Sequence, residues 1–218
     1  MPSFISKYIE PSDVLGESLF GLIMVLTFTL GAGIALGEGE ETVGTLLVAA
    51  LGCNLAWGII DGAMYVMNGM FNRGRTARIV AEVKRAGEPA ALETIARELD
   101  SRLAGLMTDE ERSRLYRSIL NVVQRTPIMR TTIEREDIYG GLACAAVVFL
   151  TALPAAVPFM LIGNPQVALR VSNGILIAML FGLGYQWARH TNANRWGTGL
   201  ALMLTGLALV GAAMALGG

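Results

Sequence analysis

The sequence predicts an all-α fold: an integral membrane protein with five transmembrane helices and a cytosolic helical insert between helices two and three. Three observations predict it. Residues 19–36, 43–67, 138–162, 167–188 and 196–218 are apolar stretches, each about as long as the ~20 residues a helix needs to cross a bilayer. Most of the charge falls in one segment, 72–137, between the second and third stretches. The charged share, 16%, is below the ~25% of a soluble domain. The chain therefore divides into residues 1–71, with an N-terminal segment and spans one and two; 72–137, the insert; and 138–218, with spans three to five. Because the charge is segregated, the net value of −1 carries no information about partners, and nothing points to nucleic acid.

Basic residues set the topology. With a cytosolic N terminus, the cytosolic parts are 1–18, 71–137 and 189–195. They hold Lys7, the lysines and arginines from Arg73 to Arg135, Arg189 and Arg195, and leave Arg170 on the other side. That asymmetry fits the positive-inside rule and opposes the inverse orientation. Met1 to Ser18 is polar and acidic. It lacks the basic and short apolar regions of a cleavable signal peptide, so span one is expected to act as its own insertion signal.

Span one aligns Glu17, Gly21, Met24 and Phe28 on one face, with Glu17 at its cytosolic mouth. The loop Gly37 to Thr42 that follows is acidic, with Glu38, Glu40 and Glu41. Span two carries a polar stripe at intervals of three or four: Asn54, Gly58, Asp61, Tyr65 and Asn68, with Met64 and Met67 beside it. Ionisable groups inside a span are costly and are functional candidates by default. Span one runs outward and span two returns, so Glu17 and Asp61 both fall in the cytosolic half and could face each other. Two carboxylates, the Asn54 amide oxygen and the thioethers of Met64 and Met24 form a donor set for a transition-metal ion. Glu17 and Asp61 are also the groups able to carry protons. Structural readings stand beside these. Glu17 also fits an interfacial or helix-dipole partner, Asp61 an interhelical hydrogen bond, and the methionines packing. Gly58 and Gly62 form a small-xxx-small pattern, the mark of close helix packing.

The insert reads as helices. Ala77 to Ala86 is a short one, ended by Gly87 and Pro89; Ala90 to Leu106 carries an apolar stripe. Thr108 and Glu111 form a capping box that opens a third helix, which stops near Pro127. Its acidic residues raise a second metal question, with Glu93, Glu98, Glu110 and Glu111 as a cytosolic metal-collecting set. Glu93 and Glu98, however, are five residues apart, about 140° around a helix, and arginines are interleaved throughout. Solvated, salt-bridged faces are the competing reading.

Span three contains Pro154-Ala-Ala-Val-Pro158-Phe. Prolines remove backbone donors and bend or break a helix, so Pro154 and Pro158 are expected to break the helix along the pathway, freeing carbonyls into a protein-lined or wet cavity. Span four opens with Arg170-Val-Ser-Asn173, where Arg170 snorkels, pairs or gates. Trp187 and Trp196 flank the last cytosolic turn as interface anchors, and span five ends outside. Cys53 and Cys144 both lie in apolar stretches and imply no disulfide framework. His190 is the single histidine, which excludes a multi-histidine metal site in one chain. The phosphate-binding glycine loop and the nucleophile motifs of enzymes are missing, so the chain is not expected to be an enzyme.

Gly16-Glu17-Ser18 followed by Phe20-Gly-Leu-Ile-Met24, and Leu153-Pro-Ala-Ala-Val-Pro158-Phe near the outer end of span three, resemble motifs of the vacuolar iron transporter family. Five spans with a helical insert after the second extend the resemblance over nearly the whole chain. It looks like a divergent bacterial branch, which implies an inner-membrane location. The resemblance further implies a homodimer without a resident cofactor, with its ion path beside the span-one helices, exporting Fe²⁺ or Mn²⁺ from the cytosol in exchange for protons. Glu17 would occupy the place of the family's pathway carboxylate. The chain departs from the family where its span two has Ile59-Ile-Asp61-Gly-Ala-Met64-Tyr65, with Asp61 and Met64 as substitutes at shifted positions. The insert's glutamates are also dispersed where the family pairs them. The alternative is a non-transporting membrane scaffold or regulatory subunit acting through its cytosolic helices.

Overall fold

The structure is a computed structural model that describes residues 4–35, 40–128 and 131–216. Among these it is all-helical, with 88% helix and no strand. The long helices are α2 (Pro11–Ala35), α3 (Glu40–Arg85), α4 (Glu88–Leu103), α5 (Asp109–Arg125), α6 (Arg135–Leu161), α7 (Pro165–Trp187) and α8 (Arg195–Ala215), preceded by a short α1 (Phe4–Tyr8). Five of them, α2, α3, α6, α7 and α8, are long and apolar enough to cross a membrane. Of the acidic loop expected at 37–42, residues 37–39 lie outside the described residues and residues 40–42 open α3.

Two boundaries differ from the hydropathy reading. Helix α2 begins at Pro11, well before residue 19. Proline is preorganised for the first helical turn, where its missing N–H costs nothing. Asp13 and Val14 both donate backbone bonds to the Glu10 carbonyl as the helix opens. Helix α3 runs unbroken to Arg85, so the separate short helix expected at 77–86 is the end of α3. The change from apolar to charged side chains near residue 72 alters the solvent a helix prefers, but not its backbone. Gly69 and Gly74 are only weak interruptions.

The chain forms two compact units, residues 1–66 with 135–218, and residues 67–134. In the first, α2 packs on α6, α7 and α8, and α7 packs on α8. The core is aliphatic: Leu22, Val25 and Leu26 of α2 meet Ala152 and Ala155 of α6, Leu176 and Leu180 of α7, and Val210 of α8. Large apolar side chains also face outward, among them Ile59, Leu142, Met160 and Leu204. Such outward apolar surface is what a bilayer, rather than water, would cover. Helix ends are capped by asparagines. The Asn164 side chain accepts from the Val167 N–H ahead of Pro165, and Asn194 accepts from Trp196 and Gly197.

Helix α6 runs through Pro154 and Pro158 without a break, correcting the expected interruption. Packing supplies the reason. Ala152, Ala155 and Pro158 are buried, and Ser172 of α7 donates a 2.8 Å hydrogen bond to the Ala155 carbonyl between the two prolines. Neighbouring helices thus support the proline-containing turns, as membrane helices commonly do.

The second unit closes around Val83, Ala91, Ile95, Tyr116 and Leu120. The capping box expected at Thr108 and Glu111 is formed in both directions. The Tyr116 hydroxyl donates to Asp100 at 2.5 Å, linking α5 to α4.

Candidate functional site

Small residues build the site by letting α3 and α6 come close. Gly58 and Gly62 of α3 lie against Ala145 and Gly141 of α6; a Cβ on Gly62 would sit 2.5 Å from the Gly141 carbonyl oxygen. The small-xxx-small pattern is therefore used for packing. On the same helix, Asp61 stands between those two glycines and Tyr65 follows one turn later, and the Tyr65 ring covers Gly140.

This packing brings three polar side chains from three helices together. The Cys144 thiol of α6 donates to the Glu17 carboxylate of α2, and Asp61 of α3 is near enough for its charge to act on both. Asp13 also lies within electrostatic reach of Glu17 and Cys144. Cys144 is only 1% exposed. One Asp61 oxygen, Oδ2, is buried without a hydrogen-bond partner. An unpartnered carboxylate oxygen in a tight helical contact is expensive, so it marks a place where a proton, a cation or a water would be stabilised.

Asn54 is fully buried, with its Nδ2 donating to the Gly21 carbonyl at 3.2 Å and its Oδ1 left without a partner. The amide therefore joins α3 to α2 and still offers one oxygen. The Met24 sulfur accepts a 3.7 Å contact from the Cys53 thiol on the same seam. Met64 is 53% exposed, directed away from the packed interior. Of the five residues expected to hold a metal ion, Glu17 and Asp61 come within electrostatic reach, Asn54 and Met24 lie on the same α2–α3 contact, and Met64 is exposed. Among the described residues no three of His, Cys, Asp and Glu gather closely enough to hold a metal ion.

Sequence reasoning missed Cys144 as the partner of Glu17. Its place in an apolar stretch points to packing or, less readily, to a metal ligand, and not to a hydrogen bond with a carboxylate. A thiol separated by more than a hundred residues from its acceptor leaves no periodic signal in the chain.

The insert's acidic residues are largely committed. Glu98 binds Arg75 at 2.8 Å, Glu110 pairs with Arg114 at 3.8 Å, and Glu111 accepts from Thr108. Glu93 is exposed on α4. Arg112 bridges Asp100 and Asp109. The Thr108 backbone N–H, then its hydroxyl, holds the Glu111 carboxyl below the usual range. The hydrogen bond to Asp100 pushes the Tyr116 phenol up.

Two further features lie outside the carboxylate site. In the first unit, a cleft of about 560 Å³ opens between α2, α6 and α7. In the second, a groove of about 520 Å³ runs along α3, α4 and α5, with Arg75 and Glu98 at its edge.

No protein-family model matches the chain, and no curated protein matches it. The five apolar helices are compatible with a multi-pass membrane protein.

Proposed function

We propose that this chain is a divalent transition-metal transporter, moving Fe²⁺ or Mn²⁺ out of the cytosol in exchange for protons. The observation that carries the reading is a pair of carboxylates, Glu17 and Asp61, on two apolar helices within electrostatic reach of each other, one with a buried oxygen lacking any partner. Carboxylates on apolar helices are costly when unpaired, and a cation or a proton relieves that cost. A divalent ion satisfies both; protons satisfy them when it leaves. Exchange of one for the other is antiport. Asn54 Oδ1 offers a neutral oxygen about two helical turns along α3 from Asp61, a donor type that suits a borderline divalent ion.

In this reading the N terminus and the helical unit at 67–134 are cytosolic, following the basic residues, and the chain resides in the cell's inner membrane as a homodimer. A second copy would complete a coordination shell that one chain leaves short.

The test is flux in proteoliposomes. An oppositely directed proton gradient should drive Fe²⁺ or Mn²⁺ flux, and Asp61→Asn or Glu17→Gln should abolish most of that flux while leaving the protein folded. Wild-type flux in both variants would sink the assignment. The groove beside Arg75 and Glu98 favours a second reading, a membrane scaffold or regulatory subunit that acts through its cytosolic helices. It predicts no ion flux and a stable protein partner in pull-downs from native membranes.

A further inference from the structure

We propose that the cleft between α2, α6 and α7 holds one phospholipid with an anionic headgroup. Its walls include Leu22 of α2, Thr151 of α6, and Met179, Gly182 and Gln186 of α7, with Arg189 just beyond the α7 end.

Charge identifies the ligand class. The Arg189 guanidinium donates to the neutral Gln186 side-chain oxygen at 3.0 Å, and among the described residues no carboxylate lines the cleft. A cation entering here would meet an uncompensated arginine, so this cleft is not a path for a divalent metal. An anion would meet a planar fork of donors suited to phosphate. Polarity is graded along the cleft, from Arg189 and Gln186 at one end to Met179 and Leu22 at the other.

Length and level point to a lipid rather than a free anion. From Arg189 back to Met179 is ten residues of mostly α-helical chain, a rise of about 15 Å. That is half of the ~30 Å hydrocarbon core, the depth of one leaflet. Trp187 and Trp196 bracket the turn that carries Arg189, and such aromatic residues sit at headgroup level. Along the wall, a Cβ built on Gly182 meets nothing within 4 Å. The slot is open where an acyl chain would run.

Native mass spectrometry of the full chain in detergent tests this, with phosphatidylglycerol, phosphatidylcholine or inorganic phosphate added. The expected result is one phosphatidylglycerol retained in preference to phosphatidylcholine. Arg189→Gln should erase that preference by removing the headgroup partner. Gly182→Phe should lower retention of both lipids by filling the slot while leaving the arginine in place. Arg189 is exposed, so its variant keeps the test alive if Gly182→Phe does not fold. Equal retention of the two lipids by the wild type, or unchanged retention in a folded variant, would mean annular lipid only and overturn the proposal. So would displacement of phosphatidylglycerol by inorganic phosphate at equal concentration, which would leave only a free-anion site.

Discussion

The Tyr65 hydroxyl donates a 2.8 Å hydrogen bond to the Tyr8 backbone carbonyl, tying the short N-terminal helix α1 to α3. Ile9 is buried beside Ala143 and Cys144, with Ile5 and Tyr65 packed against the same cluster. The N-terminal segment thus covers the end of the site that holds Cys144.

Tyr65→Phe keeps the ring over Gly140 and removes only the donor. The loss should be about 1 kcal/mol, confined to the tether. Amide hydrogen exchange in residues 4–10 should accelerate roughly fivefold, with the global melting temperature little changed. Unaltered protection there would mean that packing alone holds the segment.

Gly62 and Gly141 each admit no side chain. A Cβ on either would lie 2.5 to 2.6 Å from the carbonyl oxygen of the other. Backbone, unlike a flexible side chain, has little freedom to yield. Gly62→Ala or Gly141→Ala should therefore cost about 1–3 kcal/mol, as overpacking does, read as a lower midpoint in mixed-micelle unfolding. Gly174 has nothing within 4 Å, so Gly174→Ala should be neutral or slightly stabilising.

Ser172→Ala removes the bond to the Ala155 carbonyl between the two prolines of α6. Hydrogen bonds between membrane helices average about 0.6 kcal/mol, and the variant should lose about that much in the same unfolding measurement. A loss several times larger would mean that Ser172 is needed to hold the proline-containing turns together.

The capping box gives a pH prediction. Thr108 holds the Glu111 carboxyl below its ordinary range, so the folded value is lower than the unfolded one. The stabilisation is fully present above the unfolded value and is lost as pH falls through the folded one. Exchange protection in the first turn of α5 should therefore fall in acid, below the usual ~4.3 of a glutamate. Thr108→Ala should abolish that pH dependence and cost about 1 kcal/mol at neutral pH.

What was legible in the chain follows from the range of the forces involved. Hydropathy over about 20 residues is a local quantity, so all five long apolar helices could be read directly. The Thr108–Glu111 box and the Asn54–Asp61 stripe are local too, fixed by spacing along one helix. Helix α3 was cut short because a change in side-chain polarity was taken for an end of backbone helix, although no strong breaker precedes Gly87. Pro11 and Asp13 were available as a helix start but lie before the apolar run. The pairing of Glu17 with Cys144, and of Met24 with Cys53, depends on how helices meet. Neither leaves a pattern in spacing, which is why the methionines were grouped with the carboxylates.

The bare-backbone contact between Gly62 and Gly141 also limits how α3 can move. Advancing the helix by one residue about its own axis, roughly 100°, would drive Asp61 or Ala63 into a gap that holds no side chain. Spinning is therefore blocked, while sliding or tilting along the glycine seam is not. Asp61 keeps a constant bearing toward its neighbours. A change in what it faces would therefore come from α3 sliding or tilting along that seam, or from its neighbours shifting, and not from rotation of the helix that carries it.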